Sequence, residues 1–300
     1  MHELRLKGGG RLAYREVGRG RPLIFLHGWA MGGAAFEPQI DGLARRFRLI
    51  VPDLRGHGAS SPLGDGEGVE ALADDIAQLM AQRDLKDALC CGWSMGAMVA
   101  WALLQRHGEA RFAGLVVIDM TPRIANEAGW DLGMIGGHDR EAARRATLNM
   151  RRGWRTYCPI FVPRIFAAAG KPDADLVARV TQLAQGNDVA SMAGLWQSMV
   201  AQDFRAFLAK LSLPTLIVHG ARSQLYDAAT ARWLAARLPH ASLACFSRSG
   251  HAPHLEEPHR FNRVVGAFAD ALAHPSRAPG AAPSSAFEPL HRAKRNELGG

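Results

Sequence analysis

One pentapeptide limits the possible folds of this chain more than any other feature of its sequence. Gly92-Trp-Ser-Met-Gly96 follows a short apolar run, Ala88-Leu-Cys-Cys91, and precedes a helical stretch that begins at Ala97. A serine on so sharp a turn from strand to helix tolerates only small residues beside it, because the backbone there is crowded. The glycines at both ends satisfy this requirement, so the pattern predicts a turn that presents Ser94 at the end of a buried strand.

Other short apolar runs have the length and boundaries of strands that are buried on both faces of a parallel sheet. Helical stretches lie between several of these runs, for example over residues 68–83. This alternation predicts an α/β fold with a mostly parallel central sheet flanked by helices. The runs are Leu23–Leu26, Leu49–Val51, Gly114–Ile118 and Pro214–Val218.

The alternation stops between Pro122 and Leu213, where helical patterns rich in Ala, Arg, Leu and Trp replace the strand-like runs. We interpret residues 122–213 as an inserted helical cap. The α/β core is then predicted in two parts, residues 1–121 and residues 214–274. Residues 275–300 are rich in Pro, Ala, Gly and Ser and are predicted to form a disordered tail, because such a composition cannot bury a core.

Composition excludes several classes of protein. The 300 residues are 48% hydrophobic and 21% charged, as in globular proteins. There is no apolar run of the ~18 residues that a membrane span needs and no secretory signal, so we expect a cytoplasmic protein. The net charge of +8 comes from scattered residues without a nucleic-acid-binding motif. Four cysteines without CxxC spacing predict neither disulfides nor a metal site, and no cofactor is expected.

A serine nucleophile needs a general base, and histidine is the side chain whose pKa lies near neutral pH. Among twelve histidines, His251 lies in a Gly/Pro loop, residues 249–258, between the last apparent strand and the final helix. That loop leaves the sheet at its carboxyl edge, where Ser94 is also expected. We predict His251 as the base, with His254 as the alternative; the other role open to His254 is to brace the loop.

The oxyanion that forms during acyl transfer needs hydrogen-bond donors. The backbone N–H of Met95, directly after the serine, is one predicted donor. The second is the backbone N–H of Trp29, because His27-Gly28-Trp29 follows the first core strand at the same edge. The side chains of Trp29 and Trp93 are predicted to wall an apolar substrate pocket; the alternative is that they are ordinary core residues.

Five motifs follow one another in order between about Arg11 and His274: His27-Gly-Trp29, Pro52-Asp-Leu-Arg-Gly-His-Gly-Ala-Ser60, Gly92-Trp-Ser-Met-Gly96, His219-Gly220 and Gly250-His-Ala-Pro-His-Leu-Glu-Glu-Pro258. Their order and spacing resemble the α/β-hydrolase superfamily, in its esterase and haloperoxidase-like branch. The first and third motifs are particularly similar to the carboxylesterases that demethylate pimeloyl-carrier-protein methyl ester. The resemblance implies the α/β-hydrolase fold with a helical cap and a catalytic triad that needs no metal or cofactor.

One position departs from the family pattern. Members of the superfamily usually carry the triad acid a few residues beyond the strand that ends in His-Gly, and Ser223 stands there in this chain. Asp119 ends the preceding core strand at the catalytic edge, and some superfamily members place the acid there. We predict Asp119 as the acid, with Asp227 as the alternative. The other role open to Asp119 is to cap the turn at residues 120–122.

A second aspartate in a family motif is interpreted as structural. Asp53 lies before the serine turn in Pro52-Asp-Leu-Arg-Gly-His-Gly. We expect it to organise its glycine-rich loop through an ion pair with Arg55 and to take no part in the triad.

Arginines are concentrated in the predicted cap. Related cap arginines in the pimeloyl-ester esterases engage an acidic carrier protein, so the resemblance implies an acyl carrier protein as a partner. The alternative is a solvated face without a partner. The arginines are Arg140, Arg144, Arg145, Arg151, Arg152, Arg155 and Arg164.

The sequence therefore predicts a serine hydrolase of the carboxylesterase type, in which Ser94 attacks the ester of a small or medium acyl group and forms an acyl-enzyme. Cleavage of lactones, thioesters or carbon–carbon bonds by the same triad stays open. A non-catalytic ligand-binding protein on a hydrolase scaffold is the alternative of another class, because the aspartate is missing at position 223.

Overall fold

The apolar runs of the sequence form the centre of an eight-stranded sheet in a computed structural model that describes residues 1–169 and 172–272. The strand order is β1-β2-β4-β3-β5-β6-β7-β8. β2 pairs antiparallel with both β1 and β4, and the other pairs are parallel. The strands are β1 (His2–Arg5), β2 (Arg11–Val17), β3 (Pro22–Leu26), β4 (Arg48–Pro52), β5 (Ala88–Trp93), β6 (Phe112–Ile118), β7 (Thr215–Gly220) and β8 (Ala241–Phe246).

Helices connect the parallel strands and pack around the sheet. They are α1 (Glu37–Leu43), α2 (Val69–Gln82), α3 (Met95–His107), α4 (Arg140–Arg152), α5 (Trp154–Phe161), α6 (Ala174–Gln185), α7 (Val189–Ala201), α8 (Arg205–Leu208), α9 (Ala228–Arg237), α10 (Pro253–Glu256) and α11 (Pro258–Ala271). Two 3-10 helices cover Gly33–Phe36 and Val162–Ile165.

The most buried connection in the fold runs from β5 into α3. Every residue of β5 is buried, and α3 is buried from Met95 to Leu104. A helix that is apolar on all sides is buried on all sides, which explains its Ala-rich and Leu-rich sequence. The turn between them is therefore supported by packed core on both sides.

Strand register brings several loops together at the carboxyl edge of the sheet. Trp93 of β5 lies opposite Ile118 of β6, and Ile118 lies opposite Val218 of β7. The residues that follow these positions are Ser94, Asp119 and His219. Ligand sites of open α/β sheets lie at this edge. The fold thus places chemically reactive side chains next to one another although they are far apart in sequence.

Helices α4 to α8 all lie between β6 and β7, within the segment predicted as a cap. The side chains of Asp139, Asp173 and Asp188 cap α4, α6 and α7 by accepting backbone N–H groups, as aspartate commonly does. This helical insertion is tied to the core by hydrogen bonds, including one from the Asn187 amide to the Ala30 carbonyl oxygen at 2.8 Å.

The tail predicted for residues 275–300 lies outside the described residues. Within residues 1–169 and 172–272, the longest apolar helices are too short or too polar to cross a membrane.

Candidate active site

Ser94 sits on a strained turn between β5 and α3. Its φ of +54° lies in the left-handed region, which costs a residue with a side chain roughly 1–3 kcal/mol. A Cβ on Gly92 would come within 2.5 Å of the Ala97 nitrogen, and one on Gly96 within 2.0 Å of the Leu26 oxygen. No side chain fits at either position, so the two glycines of the pentapeptide are what allows the serine to stand here.

Asp119 and His251 form a buried pair at the same edge. Asp119 follows β6 with a φ of +44°, and its backbone N–H donates to the Val218 oxygen at 2.8 Å. One carboxylate oxygen, Oδ2, accepts a hydrogen bond from Nδ1 of His251 at 2.7 Å. The structure therefore brings together the predicted acid and the predicted base, which are 132 residues apart.

The alternative acid, Asp227, lies elsewhere. It is exposed, and its side chain caps α9 by accepting the backbone N–H of Ala229 at 2.7 Å. Position 223, where the family usually has its acid, is occupied by a serine whose Oγ donates to Oδ2 of Asp119 at 2.7 Å. Ser223, at the usual position of the acid, thus contacts Asp119, which we predict as the acid instead.

Hydrogen bonds keep the Asp119 carboxylate ionised. Burial by itself raises the pKa of a carboxyl group, because the charged form is poorly solvated. Hydrogen bonds from His219 and His251 outweigh burial here and hold the pKa of Asp119 below its ordinary value. An ionised carboxylate on Nδ1 keeps the proton of a neutral imidazole on that nitrogen and leaves Nε2 free to accept another.

His254, the alternative base, packs inside the protein. Its ring lies 4.5 Å from the Trp93 ring and 4.9 Å from the Phe36 ring, measured between centroids. Burial, together with the smaller effect of the nearby His251, lowers the pKa of His254 to about 3. Its carbonyl oxygen accepts a hydrogen bond from the Gln39 amide at 2.9 Å, which braces the loop.

The two predicted oxyanion donors belong to segments next to Ser94, which are the start of α3 and the loop after β3. Met95 is the first residue of α3, and the first N–H groups of a helix have no partner within it. The loop after β3 runs directly beside the serine, since a Cβ on Gly28 would lie 3.4 Å from Cβ of Ser94. The Trp29 backbone follows from there.

A mostly apolar cavity of about 130 Å³ opens onto Ser94 and His251. Trp29 and Trp93 both line it. The indole N–H of Trp93 also donates to the His251 carbonyl oxygen at 2.8 Å, a contact that the sequence does not predict. The helical insertion supplies the other side, including Met134, His138, Met150, Tyr157, Phe161, Arg164, Trp196 and Met199.

The ion pair predicted between Asp53 and Arg55 is wrong. Asp53 instead accepts the backbone N–H groups of Gly33 at 2.7 Å and Ala59 at 3.0 Å. Arg55 turns toward α2 and pairs with Asp75 at 2.6 Å and Glu67 at 2.6 Å. Because backbone donors already satisfy the carboxylate, the arginine is free to tie the loop to a helix. Asp53 still organises its loop, through different partners.

Glu256 joins the loop that carries His251 to the helical insertion, and sequence reasoning missed it as well. Its carboxylate oxygens accept the backbone N–H of Gly250 at 2.7 Å and of Ala167 at 2.8 Å. Burial nevertheless raises the pKa of Glu256 to about 7. The signal that could have found this residue is the pair of glutamates two and three residues after His254, which is an unusual place for charge beside a buried loop.

We expect Glu256→Gln to gain stability relative to the wild type as the pH rises from about 5 to about 8. A carboxyl group whose pKa is raised by folding stabilises the folded state below its unfolded pKa, and this contribution is lost as the pH rises through the folded pKa. Glutamine does not titrate, so only the wild type loses it. Urea unfolding across this pH range measures the difference, with the exposed Asp41→Asn as control. A pH-independent difference would contradict the raised pKa.

Among the residues that the structure describes, no cluster of His, Cys, Asp and Glu side chains has the arrangement of a metal site. The groups that the structure places at this edge are a serine on a strained turn, a histidine hydrogen-bonded to a carboxylate, and the first backbone N–H groups of a helix.

The fold and this site define a class, that of α/β proteins with a hydrolase-type arrangement at the carboxyl edge of the sheet. Residues 21–258 match the family model described as the alpha/beta hydrolase fold. The chain belongs to the α/β-hydrolase family, which confirms both the resemblance and the fold class predicted from the motifs.

Individual relatives and solved structures indicate which kind of hydrolase the chain resembles. The pimeloyl-(acyl-carrier protein) methyl ester esterase of Vibrio vulnificus is 30% identical over 263 residues, 86% of this chain and 98% of its own. The non-heme chloroperoxidase CPO-A1 of Kitasatospora aureofaciens is 28% identical over 282 residues, 87% and 97% of the two chains. The esterase EaEST from Exiguobacterium antarcticum has a TM-score of 0.84 at 23% identity, covering 89% of this chain and 98% of its own. An esterase-like hydrolase function is supported.

Proposed function

We propose that this protein is a serine hydrolase that cleaves carboxylic esters through an acyl-enzyme on Ser94. The observation that carries the proposal is the convergence of Ser94 and the buried Asp119–His251 pair on one apolar cavity. A strained serine and an oriented histidine with no common cavity would be two unrelated features. Because Ser94 and His251 line the same cavity, they can act as the nucleophile and the base of one reaction.

The first half of the proposed reaction forms the acyl-enzyme. Nε2 of His251 takes the hydroxyl proton of Ser94 as its Oγ attacks the ester carbonyl carbon. The backbone N–H groups of Met95 and Trp29 hold the oxyanion of the tetrahedral intermediate. The intermediate then collapses: the bond to the alkoxy oxygen breaks, and His251 gives its proton to the leaving alcohol. Asp119 stays ionised throughout and stabilises the imidazolium.

The second half releases the acid. His251 takes a proton from a water molecule, whose oxygen attacks the acyl carbon of the Ser94 ester. A second tetrahedral intermediate collapses, the proton returns to Oγ of Ser94, and the carboxylic acid leaves. The same donors hold both oxyanions, so no group beyond these residues is required.

The cavity favours a small or medium acyl group. A volume of about 130 Å³ accepts a short chain, and methionine, tryptophan and phenylalanine side chains offer it an apolar surface. Because the helical insertion contributes much of this lining, we propose that residues 122–213 act as the cap that selects the substrate.

Hydrolysis of p-nitrophenyl esters by the purified protein tests the proposal. Turnover is expected for acyl chains from acetyl to octanoyl, with an optimum inside this series and a steep fall for palmitoyl, which the cavity cannot hold. Absence of turnover on every ester in the series, with the protein folded, would overturn the ester-hydrolase proposal.

We further propose an acyl carrier protein as the partner that presents the ester. The similar esterase of Vibrio vulnificus carries such a substrate in its name, and the insertion has a matching charge. All seven arginines from Arg140 to Arg164 are exposed on α4, on α5 or beside them. An acidic partner would be attracted to this face over roughly one Debye length, about 8 Å at physiological salt.

An ester bound to acyl carrier protein is then expected to be hydrolysed roughly tenfold faster than the same ester on free pantetheine, and the advantage should shrink as salt is added. Replacing Arg144, Arg151 and Arg155 together by glutamine should remove the advantage. Turnover of p-nitrophenyl esters by the same variant is the control and should not change. Equal rates on carrier-bound and free substrate would contradict a carrier partner.

A further inference from the structure

The Asp119 carboxylate serves two histidines. Oδ2 accepts Nδ1–H of His251 at 2.7 Å, and Oδ1 accepts Nδ1–H of His219 at 2.8 Å. Ser223 donates its hydroxyl to Oδ2 at 2.7 Å, and the backbone N–H of Gly220 lies 3.4 Å from Oδ1. A triad needs only the bond to its own histidine. The other contacts therefore call for an explanation of their own.

We propose that His219 and Ser223 are positioning residues that fix the Asp119 carboxylate in the plane and orientation that His251 requires. This inference rests on the proposed serine-hydrolase function. His219 holds Oδ1, so that the carboxylate cannot rotate and Oδ2 remains on Nδ1 of the base. Ser223 donates to Oδ2, the oxygen that also accepts the hydrogen bond from His251.

Burial makes such support necessary. The Asp119 side chain is fully buried, and among the described residues only the two histidines approach it within ion-pair distance. A buried carboxylate without a lysine or arginine partner must be stabilised by hydrogen-bond donors. His219 and Ser223 supply donors that the acid would need at any position in the interior. Their geometry decides which of its oxygens faces His251.

The sheet explains why these particular residues are available. Ile118 of β6 and Val218 of β7 are register partners, so the residues that follow them, Asp119 directly after β6 and His219 near the end of β7, lie side by side. Ser223 comes from the loop after β7, at the position that carries the acid in most of the family. Because the acid follows β6 in this chain, His219 in β7 and Ser223 after β7 are available to support it.

The first test compares paired variants of His219. Leucine removes the donor, whereas the amide nitrogen of asparagine can occupy the place of Nδ1 and restore it. We expect His219→Leu to lower kcat/KM for a p-nitrophenyl ester by roughly 10- to 100-fold, the range seen when outer hydrogen-bond partners of functional histidines are removed. His219→Asn should recover most of the loss. Ser223→Ala and Ser223→Thr form the corresponding pair for the hydroxyl.

Two readouts separate positioning from a merely structural role. In His219→Leu, a carboxylate that is free to rotate no longer orients the His251 imidazole, so the loss for the p-nitrophenyl ester should fall on kcat while KM stays close to that of the wild type. In the resting protein, the proton NMR resonance of the hydrogen bond between Asp119 and His251 should shift in the leucine variant and return in the asparagine variant. This second readout does not depend on ester turnover.

The outcomes are distinguishable. If the wild type hydrolyses no ester, the proposed function fails, and the resonance still reports on positioning. If leucine and asparagine variants lose activity equally, or if the resonance is unchanged in His219→Leu, His219 does not position the acid and the inference is overturned.

Discussion

Replacing Ser94 by alanine is expected to lower kcat for ester hydrolysis by roughly 10⁶-fold, the effect of removing the serine of an Asp–His–Ser triad in other hydrolases. Without Oγ no acyl-enzyme forms, and His251 and Asp119 have no nucleophile to activate. What remains is the contribution of substrate binding and of the oxyanion donors, which still hold a carbonyl group in place.

The substitution is small enough to leave the fold intact. Ser94 is held in its turn by its backbone, whose N–H donates to the Ile118 oxygen at 3.0 Å. Alanine at this position has the same backbone strain as serine, so the melting temperature should be unchanged. Ser212→Ala, at an exposed serine bonded to Glu109, is the matched control and should keep full activity.

The measurement is turnover of the preferred p-nitrophenyl ester by wild type and both variants, prepared in parallel. Activity of Ser94→Ala within tenfold of the wild type would show that the nucleophile lies elsewhere or that a contaminant is responsible. Labelling of the wild type by a fluorophosphonate, with the adduct mapped by mass spectrometry, then identifies which serine reacts.

The sequence predicted the serine turn and the histidine loop because both are local features. Gly92 is required by backbone contacts with Gly96 and Ala97, and Gly96 by the backbone of Leu26 in β3, yet both requirements leave a readable pattern within one pentapeptide. His251 lies in a Gly/Pro loop after an apolar strand, which is equally local. Features of this kind can be predicted from one short stretch of sequence, without knowing how distant elements pack.

The sequence favours Asp119 over Asp227 only because Asp119 directly ends a core strand. Both follow core strands within a few residues, and only the sheet order and register place one of them against His251. Asp227 is the N-cap residue of α9, a role in which aspartate is common in any helix. The sequence predicts no role for His219, because its contact with Asp119 exists only where β6 and β7 lie side by side.

The cavity was the least predictable part of the site. The sequence predicts Trp29 at the wall of the cavity, but two helices of the insertion, α5 and α7, surround it: its ring lies 5.5 Å from Trp154, 5.2 Å from Phe161 and 5.6 Å from Trp196. The helical periodicity of residues 122–213 indicates which faces are apolar. It does not determine which helix packs over which loop, because many packings bury the same apolar area.

Asp119→Asn is expected to lower kcat by roughly 10⁴-fold while Asp227→Asn stays close to the wild type. Asparagine can present its amide N–H to His251, so Nδ1 must accept and the imidazole proton moves to Nε2. That tautomer cannot take the proton of Ser94. Near-equal effects of the two substitutions, measured as kcat on the same ester, would contradict Asp119 as the acid.

A residue exchange makes this prediction sharper. Oγ of Ser223 and Nδ1 of His251 both lie 2.7 Å from Oδ2 of Asp119, so a carboxylate carried by position 223 would reach the same space. Asp119→Ser alone should be as inactive as Asp119→Asn. The double variant Asp119→Ser/Ser223→Asp, which exchanges hydroxyl and carboxylate at nearly constant volume, should recover activity by roughly tenfold or more, about 1.4 kcal/mol of transition-state stabilisation. Recovery would mean that the site accepts its acid from either strand; a double variant no better than Asp119→Ser, in a folded protein, would mean that only β6 can orient the carboxylate toward His251.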